Sequence, residues 1–207
     1  MELIKRYFPE LTDNQIEILS KLFNAYKYWN EKINVISRKD FENFYKHHVL
    51  HSMGVAKFIS FSEGTSILDV GTGGGFPGIP LALLFPECEF FLIDSIKKKI
   101  KVIEAIKEEF DLKNIHTLQV RVEKYTEKHD FVVSRAVKKF PVFVNWVSNN
   151  IKDNNKNKVA NGIIYLKGGN IDNEIEPFKD KIKIIPLDQY FEEEFFQTKK
   201  ILYLPFS

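Results

Sequence analysis

The chain has 207 residues, 44% of them hydrophobic, which suits one globular core with an extension. Its 30 basic and 28 acidic residues give a net charge of +2, which excludes a polybasic arm, and its single cysteine, Cys88, excludes an internal disulfide or a cysteine-rich zinc site. No apolar run approaches the roughly 18 residues of a membrane helix, and Met1 to Arg6 lack the basic-then-apolar order of a signal peptide, so the chain is expected to be soluble and cytoplasmic.

The first 60 or so positions read as helical. Thr12 and Gln15 have the spacing of a capping box, so a helix is predicted to start there, with Ile16, Leu19, Phe23 and Tyr26 at helical spacing. A second helix is predicted from Asp40 to Ile59. The pattern then changes. Ser66–Val70 reads as a short buried strand, followed by glycines and a short helix through Ala82 to Phe85. Strands at 89–93, 115–120, 131–134 and 163–166 alternate with helices at 97–110 and around 142–151. Strands at 183–187 and 199–204 have no clear helix between them and predict an antiparallel pair. The alternation implies an α/β fold with a mostly parallel sheet covered on both faces.

The central motif is Asp69-Val70-Gly71-Thr72-Gly73-Gly74-Gly75-Phe76-Pro77-Gly78, between a strand and a helix. Glycines let backbone approach a ligand closely, and such a loop lies at the carboxyl ends of the strands, where open α/β sheets bind ligands. Asp94 ends the next strand, where a carboxylate can accept from both ribose hydroxyls of a nucleoside. Loop and acid together point to an adenosine-containing cofactor. A G-x-G-x-x-G pattern fails when counted from Gly71 and succeeds from Gly73, so it does not choose between cofactors. Asp69 favours S-adenosylmethionine (SAM) over a dinucleotide, because a carboxylate beside the turn opposes a pyrophosphate and suits the cofactor's ammonium end.

Further segments carry a family resemblance. Trp29-Asn30 with Asn34-Val35-Ile36-Ser37, His48-Val49-Leu50 with Ser52, Leu92-Ile93-Asp94-Ser95, Arg121-Val122-Glu123, Ser134-Arg135-Ala136 and Leu166-Lys167-Gly168 occur in order with the glycine loop, which continues as Ile79-Pro80-Leu81. Together they resemble the bacterial RsmG (GidB) family, methyltransferases of guanine N7 in small-subunit (16S) ribosomal RNA. His47 and His51 stand where that family usually has Arg and Asp, and Ile36 where it has Thr. The resemblance implies a Rossmann-like class I SAM-dependent methyltransferase with a seven-stranded sheet. Residues 1–62 would form a helical extension packed on a SAM-binding domain at 63–207. It also implies cofactor contacts from Gly71, Gly73 and Phe76, a ribose contact from Asp94, an adenine site at Val122 and Glu123, and a pocket role for Arg135. Asn34, Arg38, Lys46, His47, His48, Arg135 and Lys167 are the candidate RNA contacts.

Guanine N7 carries no proton and is an acceptor on the major-groove edge, so methylating it requires positioning more than a general base. No residue is therefore assigned a proton-transfer role. The chain lacks an Asn/Asp-Pro-Pro-aromatic motif after its fourth strand, as exocyclic-amine methyltransferases carry, and Cys88 precedes the second strand, at the wrong end of the sheet for a nucleophile. The histidines lack a companion cluster for metal binding. The expected partner is 16S rRNA or the small subunit, with no membrane or metal, and the chain is expected to act as a monomer. Alternatives are an NAD-type oxidoreductase, a SAM methyltransferase of another RNA, protein or small molecule, and a non-catalytic RNA-binding relative.

Overall fold

The computed structural model describes residues 1–135 and 137–206; Ala136 of the Ser-Arg-Ala motif lies outside the described residues. Seven strands form one sheet: β1 (Ser66–Val70), β2 (Glu89–Asp94), β3 (Ile115–Gln119), β4 (Phe131–Arg135), β5 (Gly162–Gly168), β6 (Lys183–Pro186) and β7 (Lys199–Pro205). Their spatial order is β3-β2-β1-β4-β5-β7-β6. The first five pair in parallel, and β7 pairs antiparallel to both β5 and β6, which is the closing pair expected from the sequence. The central strands are nearly continuous apolar runs because helices cover both faces: Ile67, Leu68, Val132, Val133, Ile163 and Ile164 are wholly buried. Strand order reverses between β1 and β4, so the loops after Val70 and Arg135 open at the point where such sheets bind ligands.

The amino-terminal helices pack on this sheet. Helix α2 (Asp13–Lys32) starts at the predicted capping box, with the Thr12 side chain accepting from Gln15 N and Gln15 Oε1 accepting from Thr12 N. A short helix, α1 (Glu2–Tyr7), precedes it. The second helix expected from Asp40 to Ile59 is divided instead: a 3₁₀ segment at Arg38–Asn43, a π-helical segment at Phe44–Leu50, then α3 (His51–Met53) and α4 (Val55–Phe58). Gly54 marks the last break, where a Cβ would sit 3.3 Å from both Leu187 and Phe191, closer than most such contacts. Ile4, Leu19, Leu22, Phe44 and Val49 from these helices share one buried cluster with Ile67, Ile79 and Phe90 of the sheet layer.

One polar side chain orders the extension and a second ties it to the glycine loop. Buried Asn30 holds the segment after α2, accepting from Val35 N and Ile36 N and donating to Ile36 O. Buried Tyr26 donates its hydroxyl to Gly74 O at 2.6 Å. Tyr26→Phe leaves that carbonyl without its side-chain donor, an expected loss of about 1–3 kcal/mol. Urea unfolding should show a lower midpoint with an unchanged slope; an unchanged midpoint would remove this bond from the stability of the loop.

Candidate active site

The loop after β1 is closed by Asp69. This carboxylate is fully buried; its Oδ2 accepts from Thr72 Oγ1 at 2.6 Å and from Gly78 N at 2.8 Å. A Cβ at Gly78 would come within 2.8 Å of that oxygen and 2.7 Å of Leu92, so only glycine permits the closure. Helix α5 (Gly78–Leu84) begins there. Burial raises the Asp69 carboxyl to about 7 against the opposing hydrogen bonds from Thr72 and Gly78, and its Oδ1 has no partner. Gly71, Gly73 and Gly75 take positive φ values of 66°, 62° and 95°, the left-handed region that favours glycine.

Beside the loop is a cleft of about 470 Å³, lined by Gly71 and Val70 from the end of β1, Ile93 to Ile96 from the end of β2, Val120 to Glu123, Arg135 and Val137, with Lys99 and Trp146 at its sides. Its size lies within the roughly 300–1,000 Å³ of small-molecule sites. Asp94 is 6% exposed and accepts from Gly73 N through Oδ2 (3.1 Å) and from Ile96 N through Oδ1 (2.9 Å). Lys99, on α6 (Lys97–Glu109), places its Nζ 3.7 Å from Oδ2. A carboxylate has about four acceptor sites, so two remain for a pair of neighbouring hydroxyls. A Cβ on Gly71 would collide with Val137 at 2.7 Å, whereas one on Gly73 would meet only Gly71 O, at 3.9 Å, so the loop leaves open space there. These features suit a nucleoside with an amino-acid tail.

Arg135 ends β4 and lines the same cleft. Its guanidinium donates through Nη1 to His47 O and through Nη2 to His48 Nδ1, both at 3.0 Å, and its Cζ lies 5.2 Å from the centre of the Phe76 ring. Burial lowers Arg135 to about 10, with Asp69 and Asp40 opposing, and it stays charged at neutral pH. Burial and then the Arg135 charge lower His48 to about 4. Asp40 bridges the two histidines, at 2.6 Å from His47 Nδ1 and 2.8 Å from His48 Nε2. Burial acts to raise the Asp40 carboxyl, and its bonds to His47 and His48 outweigh that and lower it. His51 is buried, pushed well below its ordinary value by that burial, and its Nε2 has no partner.

The expected cofactor residues thus divide. Gly71, Asp94, Val122, Glu123 and Arg135 come together on the cleft wall. Gly73 supports Asp94 from the loop. Asp69 lies beneath the loop, outside the cleft wall; its Oδ2 is taken by Thr72 and Gly78, and its Oδ1 has no hydrogen-bond partner. Phe76 is 4% exposed and packs against Tyr26, Phe44 and His48, under the Arg135 guanidinium. Among the RNA candidates, Asn34 and Arg38 are exposed and Lys46 is half-buried at a surface hollow with Lys199. His47 and His48 are instead engaged by Asp40, with His47 stacked on Phe195 at 3.9 Å, and Lys167 is paired with Glu174 at 2.9 Å. Val137 and Trp146 carry no signal of a site in the sequence, and Lys99 reads there as part of a basic, solvated helix face; their place on the wall depends on the fold. Among the described residues, no group of three or more His, Cys, Asp or Glu is placed to hold a metal ion, and no helix is long and apolar enough to cross a membrane.

A family model described as rRNA small subunit methyltransferase G (GidB) matches residues 15–202. The chain belongs to that family. It is 53% identical over 205 residues to the Ribosomal RNA small subunit methyltransferase G of Christiangramia forsetii, covering 99% of this chain and 97% of that one. The protein of the same name from Flavobacterium johnsoniae is likewise 53% identical, over 99% and 98% of the two chains. A solved SAM-dependent methyltransferase from Aquifex aeolicus has the same fold, with a TM-score of 0.55 and 16% identity over 74% of this chain and 88% of that one. As a member of the methyltransferase G family, the chain is a SAM-dependent enzyme with a Rossmann-like fold.

Asp94→Asn replaces one acceptor oxygen with an amide nitrogen facing the Gly73 or Ile96 N–H. It should weaken S-adenosylhomocysteine binding roughly 10- to 100-fold, the scale of a hydrogen bond to a charged group, and lower the melting temperature through the unpaired N–H, so affinity is measured well below the unfolding transition. Titration calorimetry that finds wild-type affinity would remove Asp94 from the cofactor site.

Proposed function

We propose that this enzyme methylates N7 of a guanine in 16S rRNA of the small ribosomal subunit, with the cofactor held in the cleft at the β1–β4 reversal. The observation that carries this reading is the convergence of Gly71, Asp94, Val122, Glu123 and Arg135 on one wall, in a chain whose full length matches ribosomal RNA methyltransferases. In this reading Asp94 takes the ribose hydroxyls, Val122 and Glu123 read the adenine edge, and Arg135 takes the carboxylate of the methionine end. Bound SAM supplies an electrophilic methyl group, which the unprotonated N7 takes directly. The chain's own task is to orient and to exclude water. A general base is not needed, consistent with the depressed His48 and its engagement by Arg135 and Asp40.

Asn34 and Arg38, exposed on the extension, and Lys46 beside Lys199 form the docking candidates for RNA phosphates. The target guanine would leave its stack to reach the methyl group, as bases do for enzymes that act on them. The work would take place in the cytoplasm, by a monomer on RNA or an assembling particle.

The test is transfer of labelled methyl from SAM to small subunits purified from cells lacking this protein, followed by mapping of the modified base. Label on a single guanine N7 of 16S rRNA is the expected result. Label on another position, or none from enzyme that binds SAM normally, would overturn the substrate assignment and leave the cofactor assignment standing.

A further inference from the structure

Three side chains form a line from the surface of the extension to the cleft, Asp40, His48 and Arg135, with the Phe76 ring beside the last two. Hydrogen-bond logic fixes the state of each polar member. Arg135 can only donate, so His48 Nδ1, 3.0 Å from Nη2, must accept. An ionised carboxylate can only accept, so His48 Nε2, 2.8 Å from Asp40 Oδ2, must carry the proton. Asp40 therefore selects the one neutral tautomer of His48 that leaves a lone pair facing Arg135. The opposite tautomer would aim an N–H at a guanidinium N–H.

The backbone carbonyl of His47 holds Nη1, and the Phe76 ring covers a face of the guanidinium. With two of its five N–H groups engaged, Arg135 keeps three for whatever enters the cleft it lines. His47 also bonds Asp40 and stacks on Phe195, so Asp40 is held at its other oxygen as well. The π-helical segment Phe44–Leu50 presents both histidines and the His47 carbonyl to these partners, and such segments recur at functional sites.

We propose that Asp40 and His48 are positioning residues: Asp40 fixes the His48 tautomer, and the His48 Nδ1 lone pair aims Arg135 at the carboxylate of the cofactor. The proposal rests on the reading of Arg135 as the partner of that carboxylate. Neither Asp40 nor His48 lines the cleft, so both act through Arg135. The extension therefore completes the cofactor site as well as carrying candidate RNA contacts.

Two probes separate this role from general damage. S-adenosylhomocysteine carries the amino-acid end; 5′-methylthioadenosine has the same nucleoside without it. A pair of substitutions divides the two functions of the imidazole. In His48→Asn the carbonyl oxygen reaches the position of Nδ1 and can still accept from Arg135; in His48→Gln the amide nitrogen reaches that of Nε2, and the acceptor for Arg135 is lost. Affinities for both probes would be measured by calorimetry on the full chain, with melting curves as a check of folding. The expected result is that His48→Gln and Asp40→Ala lose about tenfold in S-adenosylhomocysteine affinity, the scale of one charge-assisted hydrogen bond, with methylthioadenosine binding unchanged. His48→Asn and Asp40→Asn, which keep an acceptor in place, should stay within about threefold of wild type, a loss of less than one such bond. Unchanged S-adenosylhomocysteine binding in His48→Gln would overturn the proposal, as would an equal loss of both probes. Arg135→Gln separates the two levels. Equal effects on both probes there would remove the carboxylate reading itself, and the proposal with it. A selective effect of Arg135→Gln with a silent His48→Gln would remove only the positioning role.

Discussion

The site depends on a turn that closes on a buried carboxylate. Asp69, next to last in β1, accepts both the Thr72 hydroxyl and the first N–H of α5, so strand, loop and helix are tied at one oxygen. The closure requires glycine at 78 and places Gly71 and Gly73 where their backbone faces the cleft and Asp94. It also leaves a carboxyl in a dry environment, and that burial pushes Asp69 up to about 7. Asp69 thus shapes the loop that borders the cleft.

The second constraint is that this loop does not stand alone. Tyr26 reaches it from α2 through Gly74 O, and Val35, held by Asn30, closes on Gly74, where a Cβ would come within 3.0 Å of it. Phe76 packs into the aromatic group of Tyr26 and Phe44 and supports the guanidinium that the π-helical segment aims. Cofactor loop, Arg135 and extension are thus one packed unit. A substitution in the extension that loosens this packing should be felt at the cofactor, because interiors this dense transmit displacement between neighbours.

What was legible in the sequence follows from how local each signal is. The capping box at Thr12, the apolar run Ile67–Val70, the glycine loop and the acid at 94 are short-range patterns, and all stand where the spacing put them. The breaks in 38–58 were not legible, because which carbonyl each backbone N–H bonds to, i−3, i−4 or i−5, is set by packing and leaves no signature in residue type. The partners of Asp69, His47, His48 and Lys167 were unreadable for a different reason: each is set by packing, such as Glu174 beside Lys167 or Arg135 beside His48. Trp146 and Val137 gave no signal of their own; adjacency of β1 and β4 brings them to the wall.

The measurement that bears most directly on this account is a crystal structure of the full chain with S-adenosylhomocysteine. The expected result is the ribose hydroxyls on Asp94, the adenine against Val122 and Glu123, and the carboxylate on Arg135, with Asp40, His48 and Arg135 still in line. A ligand bound outside this cleft, or turned so that its amino-acid end faces Glu123, would contradict it.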